Sequence, residues 1–350
     1  MVKYNFIALL LVFITLACSE SGARKDNSFL PEAQYNGDYV WLISDTTSYK
    51  GQLGNQIQED FSRPFDVLPQ DERSYKVAFS EYIGLNDLMK RWEVMIFAVD
   101  LNKPTRLRDY VSAQFKHKLS NSSSFEFSSF IVNDQWAQNQ LVIYLVGASE
   151  KSLIEGYQKQ KETINKMINS HVLKRESRAI EKLNKNHDLA KEIKTSFNFD
   201  LIIPIDYRSA GQVEGAKWFI KDIPKGYMSL VFYQESYSDS SMFEKERLIQ
   251  KRDQVLGKFI KGEFDNEIMS SERRVLIEEE TLNFNGQYGK KLNGLWRLKE
   301  AFSGGPFNHY AFYNPSTQNI VYIDAFVMAP GEKKKPLMRE LQGIIHTIKF

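Results

Sequence analysis

Cysteine is nearly absent from this chain: Cys18 is the single thiol in 350 residues. That excludes an internal disulfide framework, whatever compartment the chain occupies. Charge of one sign is missing too. Its 46 basic residues against 44 acidic ones give a formal net charge of +2, which offers no broad attraction to a nucleic-acid backbone. After residue 18 no apolar run approaches the ~20 residues that a bilayer-spanning helix needs. Catalytic signatures are lacking as well. There is no His-Glu-x-x-His, no Gly-x-Ser-x-Gly and no Gly-rich loop ending in Lys-Ser/Thr. The five histidines (His117, His171, His187, His309 and His346) stand at no ligand-like spacing. No metal and no cofactor are expected.

What is present begins at the N-terminus. Lys3 precedes an uncharged stretch, 6–16, of about 11 residues, the layout of a secretory signal's n-region and h-region. The stretch is too short for a permanent spanning helix. Thr15-Leu16-Ala17-Cys18 resembles a lipobox, with Thr15 standing where leucine is usual. That resemblance implies cleavage of a lipoprotein signal peptide at 1–17 and acylation of Cys18 by palmitate-type chains. The partner so implied is the membrane, reached through the N-terminal lipid. An acylated Cys18 is also removed from nucleophilic chemistry. Residues 18–35 open with small polar side chains that bury nothing, and are expected to act as a flexible tether. Only Glu20 lies close behind the cysteine, so the expected address is the outer membrane, facing the periplasm.

Hydrophobic content of 42% with 13% aromatics suits a packed core with aromatic sheet faces. Short apolar or alternating runs predict strands at 38–44, 75–79, 92–99, 125–132 and 140–146, with a helix over 49–61. Residues 150–194 contain no proline and carry a thin apolar stripe on a charged background, which predicts one long helix or a broken pair. Strands follow at 197–204, 217–220, 228–233, 274–278, 294–299, 307–313 and 320–328. Amphipathic helices are expected at 243–260 and 337–348, the second opened by Pro336. The expected class is α+β: two similar halves, 36–149 and 196–350, each a mainly antiparallel sheet packed by helices, joined by a helical connector at 150–195. The ordering of elements suggests diverged copies of one unit.

Several short stretches, in order, carry a resemblance. They are Leu68-Pro69-Gln70-Asp71-Glu72, Asn133-Asp134-Gln135-Trp136-Ala137-Gln138-Asn139-Gln140 and Ile249-Gln250-Lys251-Arg252-Asp253. Further on come Gly294-Leu295-Trp296, Gly304-Gly305-Pro306-Phe307, Ala329-Pro330 and Lys333-Lys334-Lys335. With them the chain resembles a family of Bacteroidota lipoproteins known as domain of unknown function 4837. Asn293 stands where the family tends to have arginine, and Ser303 where methionine or glycine is more typical. The resemblance implies a lipoprotein of two α+β halves and brings no assigned activity. The C-terminal half also resembles, more distantly, PsbP-type folds, which implies a binding or assembly role.

Two clusters stand out as chemistry. Glu278-Glu279-Glu280 is the tight acidic run; on a strand only Glu278 and Glu280 share a face. A hydrolase acting on an envelope polymer would need such carboxylates opposed across a cleft. The richer block is 296–310. There Gly304, Gly305 and Pro306 are expected to impose a special backbone. Trp296, Phe302, Phe307 and Tyr310, with Arg297 and His309 nearby, are candidates for an aromatic-lined pocket for a glycan or peptide. The competing structural reading is a tight turn between core strands. Gly286 to Lys290 reads as a hairpin turn. The sequence thus points to a non-catalytic binding or assembly factor for an envelope protein or glycan, with no nucleic-acid partner; the alternative is the hydrolase.

Overall fold

The computed structural model describes residues 29–350 apart from 36, 120–124, 265, 285 and 300–302. Cys18, the signal segment and Phe302 lie outside the described residues. The N-terminal half contains β1 (Tyr39–Ile43), α1 (Thr46–Lys50), α2 (Gln52–Phe61), β2 (Lys76–Ser80) and β3 (Val94–Asp100). It continues through α3 (Arg106–Gln114), α4 (Lys116–Leu119), β4 (Phe127–Asn133), β5 (Leu141–Gly147) and α5 (Glu150–Glu181). Its five strands order as β2-β1-β3-β5-β4. β1 runs parallel to β2 and β3, and β3 parallel to β5; only β4 is antiparallel to its neighbour.

The α+β class holds for the chain, but this first sheet is mainly parallel where an antiparallel one was expected. The cause is the connections. Helices α1 and α2 carry the chain back from β1 to β2, and a crossover returns the next strand in the same direction. Both faces are then covered, so β3 and β5 are buried along their whole length. α2 and α5 pack one face, through Leu53, Ile57, Tyr157 and Ile164, and α3 packs the other through Leu107 and Val111.

The C-terminal half comprises α6 (His187–Phe197), β6 (Arg208–Val213), β7 (Ala216–Ile223), β8 (Gly226–Ser236), α7 (Lys245–Phe259) and β9 (Met269–Ser271). After them come β10 (Glu278–Phe284), β11 (Gln287–Leu298), β12 (Gly304–Asn314), β13 (Asn319–Met328) and α8 (Lys335–Ile345). The strand order is β10-β11-β12-β13-β8-β7-β6, antiparallel throughout, with β9 added beside β11. α6 and α8 cover one face and α7 the other. The two halves therefore differ in topology and are not copies of one unit.

Two local expectations change. Residues 197–204 form no strand: α6 runs to Phe197, and Asn198 in the left-handed region (φ +57°) closes it. The strand expected at 274–278 begins instead at Glu278, and it pairs antiparallel with the next strand, Phe284 opposite Gln287. The predicted 150–194 helix is a pair, α5 and α6. α5 packs on β3 and β5 of its own half and on α8 of the other.

The halves are joined by charge as well as packing. Glu72 reaches from the first half to the start of α8: its Oε1 accepts the backbone N–H of Lys334 at 2.6 Å and its Oε2 that of Lys335 at 3.3 Å. These N–H groups have no acceptor within the helix, and a carboxylate there also meets the positive end of the helix dipole. Lys335 Nζ sits 2.6 Å from Asp38 and donates to the carbonyls of Arg73 and Ser74, while Arg339 also pairs with Asp38. Two stretches of the family resemblance, 68–72 and 333–335, are thus the two sides of one joint.

Candidate functional site

The 296–310 block is not one pocket. β11 and β12 pair here, with Trp296 opposite Gly305 and Arg297 opposite Gly304, so the glycines lie within a strand and not in a turn. Neither glycine has positive φ. What Gly305 supplies is room: a Cβ there would stand 2.1 Å from the Val327 carbonyl and 3.0 Å from the Trp296 indole nitrogen. That indole donates to the same Val327 carbonyl at 3.2 Å. Trp296 and Phe307 are buried under α7, and Pro306, buried too, alternates to the other face of the strand. Tyr310 points to the opposite face of the sheet. Strand alternation separates the aromatics expected together. Gly304 is exposed, and Arg297 is half-buried with its guanidinium 3.6 Å from Glu272.

Tyr310 alone among these candidates lines the cleft that the two halves enclose. This cavity of about 380 Å³ lies between α5, α8, the 65–75 segment and the β10–β11 hairpin. Its aromatic walls are Phe65, Tyr75, Phe284 and Tyr310. Asn169 and Ser170 of α5 and Asn283 of β10 stand exposed at its rim. Asn293, at the family's arginine position, also lines it, with its Oδ1 accepting from Asn308 at 2.7 Å. The volume falls in the ~300–1,000 Å³ range of small-molecule sites.

The cleft's central cation is Lys291 on β11, a residue that neither periodicity nor motif marked in advance. Its side chain is 11% exposed, and its nearest acid is Asp66 at 3.8 Å, beyond hydrogen-bond reach. Its ammonium lies 5.8 Å from the centre of the Tyr310 ring. Burial opposes its charge, but Asp66, Tyr310, Glu280 and Glu278 outweigh this and raise its pKa. Lys291 is therefore a fixed cation and not a free amine nucleophile. Burial likewise pushes the Tyr310 phenol up to about 12. Asp66 is held in the left-handed region at φ +43°, a strained place for a residue other than glycine. Glu280 lines the cleft directly opposite Lys291 in the ladder, but Glu278 and Glu280 share one face of one edge strand. They are not opposed across the opening as a glycosidase pair requires.

A second charged cluster also escaped the sequence, although Arg252 and Asp253 stood in a family stretch. Arg252 on α7 and Asp324 on β13, both 0% exposed, pair through Nε–Oδ2 at 2.6 Å and Nη2–Oδ1 at 3.2 Å. His309 Nδ1 lies 3.2 Å from the same carboxylate. Arg252 also donates to Ser271 Oγ at 3.1 Å and lies 3.7 Å over the Phe307 ring. Ser271, histidine and aspartate resemble catalytic types, but His309 and Asp324 are fully buried, and the Ser271 hydroxyl donates to Asp253 at 2.6 Å and not to the histidine. The cluster clamps α7 to the sheet. Among the described residues no three metal-ligating side chains converge. No described helix is long and apolar enough to cross a membrane.

Residues 186–347 match the family described as "Domain of unknown function (DUF4837)". Residues 36–181 match a second one, "Domain of unknown function (DUF8532)", so the stretches at 68–72 and 133–140 fall within a separate family. No curated protein matches the chain. Among solved structures the chain is similar to LpqN of Mycobacterium tuberculosis, described as involved in cell envelope biogenesis (13% identity, 43% of this chain, 82% of that chain, TM-score 0.27). It is also similar to the Saccharomyces cerevisiae Ran-binding protein Mog1p (11% identity, 43% and 89% coverage, TM-score 0.29). At such scores neither likeness transfers a function.

Proposed function

We propose that this chain, whose C-terminal half matches the domain-of-unknown-function family 4837, is a lipid-anchored envelope protein that binds rather than transforms its partner, a glycan or a protein, in the cleft between its halves. The observation that carries the binding reading is the Lys291 ammonium, almost enclosed among aromatic walls and without a hydrogen-bond acceptor among the described residues. An ammonium in that condition keeps its charge but leaves its N–H donors without a protein acceptor, and an incoming acceptor satisfies them. The lipobox-like Thr15-Leu16-Ala17-Cys18 supports the anchor. Acyl chains on Cys18 would hold the membrane through about 0.8 kcal/mol per buried CH₂.

Crosslinking in cells, with the native N-terminus intact, tests both parts. A photoreactive residue at the cleft rim should capture a defined envelope component, and Ser170→Trp, which fills the mouth from the exposed side of α5, should abolish that capture. Equal capture by the filled variant removes the cleft from consideration. Cys18→Ala should accumulate as a soluble or unprocessed species. If it is cleaved normally and still fractionates with membranes, the anchor is not lipid on Cys18.

A further inference from the structure

The cleft's own groups narrow the ligand further, on the reading above that the cleft is a binding seat. Asp66 is the natural counter-ion for Lys291, yet it is already committed. Its Oδ2 accepts from Gln342 Nε2 at 2.7 Å and lies 3.5 Å from Asn308 Nδ2, so side-chain amides from α8 and β12 hold it 3.8 Å from the lysine. Glu280, the ladder neighbour of Lys291, makes no ion pair with it. Lys166, exposed at the cleft mouth, has no ion-pair partner among the described residues either. One enclosed cation whose N–H donors meet no acceptor within hydrogen-bond reach, and a second without an ion pair at the entrance, leave room for an anionic acceptor between them.

The rest of the lining describes what carries that anion. Tyr310 and Phe284 offer aromatic faces, and Asn169, Ser170 and Asn283 present neutral hydrogen-bonding groups around the mouth. An extended acidic peptide would find a poor seat. The open edge available to it is β10, along which it would meet Glu278, Glu279 and Glu280 in succession, whereas a single ring carboxylate on Lys291 faces Glu280 alone of the three. We propose that the cleft takes a saccharide ring bearing a carboxylate, with the carboxylate on Lys291 Nζ, the ring against Tyr310 and Phe284, and the hydroxyls toward Asn169, Ser170 and Asn283.

Methyl glucuronide, its neutral methyl ester and methyl glucoside, each titrated against the full chain by ligand-observed NMR, test this. The acid should bind at least about tenfold more tightly than the ester or the glucoside. Lys291→Met should erase the preference, Lys291→Arg should keep it, and Ser170→Trp should abolish binding of all three. The ester comparison needs no variant, so a poorly folding Lys291→Met leaves the test intact. No detectable binding of the glucuronide, or equal binding of acid and ester, overturns the carboxylate assignment; equal binding that Ser170→Trp still abolishes leaves the cleft as a seat. Undiminished binding to Ser170→Trp overturns both readings. If acetyl-alanyl-alanine binds in a Lys291-dependent way and the glucuronide does not, the carboxylate belongs to a peptide and the saccharide assignment falls.

Discussion

At His309 two forces oppose each other. Burial disfavours the imidazolium, Asp324 favours it and Arg252 opposes it, and the net effect lowers the pKa below the usual histidine value. The unfolded chain keeps a histidine pKa near 6.5. Above that pH both states are neutral at this position and nothing is lost. As pH falls below it, the unfolded state takes a proton that the folded state refuses, so stability declines until the folded pKa is reached. The slope from one such group is at most about 1.4 kcal/mol per pH unit. His346, which is also lowered by burial, adds to it. Urea midpoints measured between pH 7.5 and 5.5 should therefore fall for the native chain. His309→Asn should flatten the dependence, because Arg252 still holds Asp324. An unchanged slope in that variant would remove His309 from the account.

The same scale explains what the sequence hid. Lys291 is one of many lysines, and no local pattern separates a lysine facing a cleft between two halves from one facing water. Its role depends on Asp66, which is remote in the chain and belongs to the other half. Trp296 and Tyr310 show the converse: they are near in sequence, but strand alternation sends them to opposite faces of one sheet.

Between elements, the contact that decides the geometry of the cleft is α5 against α8. Gly343 makes it possible, since a Cβ at that position would lie 2.8 Å from Glu176 Cβ and 3.1 Å from the Glu176 carbonyl carbon. Backbone of α5 cannot move aside there without disturbing Val172 and Ile180 in the two cores. Gly343→Val should therefore cost about 1–3 kcal/mol by overpacking, and it should widen the cleft. Chemical denaturation checks the first effect, and hydrogen exchange on the α5 and α8 amides the second. Wild-type protection with wild-type stability would show that the helices are not held so closely. Most elements were legible beforehand. The runs at 92–99 and 140–146 became β3 and β5, and the 243–260 periodicity became α7, because apolar period alone settles such segments. Strand direction was not legible, since a parallel and an antiparallel partner bury the same side chains. α3 escaped notice because Leu107 and Val111 give only a single apolar step among charged neighbours.

For the molecule as a whole, the question is whether two folds with different topologies behave as one body. Asp38 lies at the centre of the answer. It comes just before β1 in the first half and meets both Lys335 and Arg339 at the start of α8 in the second. Burial pulls Lys335 down to about 8 and Arg339 to about 10, so both still carry charge at pH 7. Their side chains are 8% and 7% exposed. Removing the acid leaves the two cations with backbone carbonyls alone, and because Asp38 is itself 24% exposed the cost is about 3 kcal/mol, the low end for breaking a buried pairing. Asp38→Ala should lower stability by roughly that much and split one unfolding transition into two, the C-terminal half melting apart from the N-terminal one. Replacing Arg339 by Met in the same chain removes one stranded charge and should recover part of the loss, whereas independent sites would give additive losses. A single unshifted transition in Asp38→Ala would mean that packing of α5 on α8 joins the halves without help from charge, and that the cleft between them keeps its shape with this joint cut.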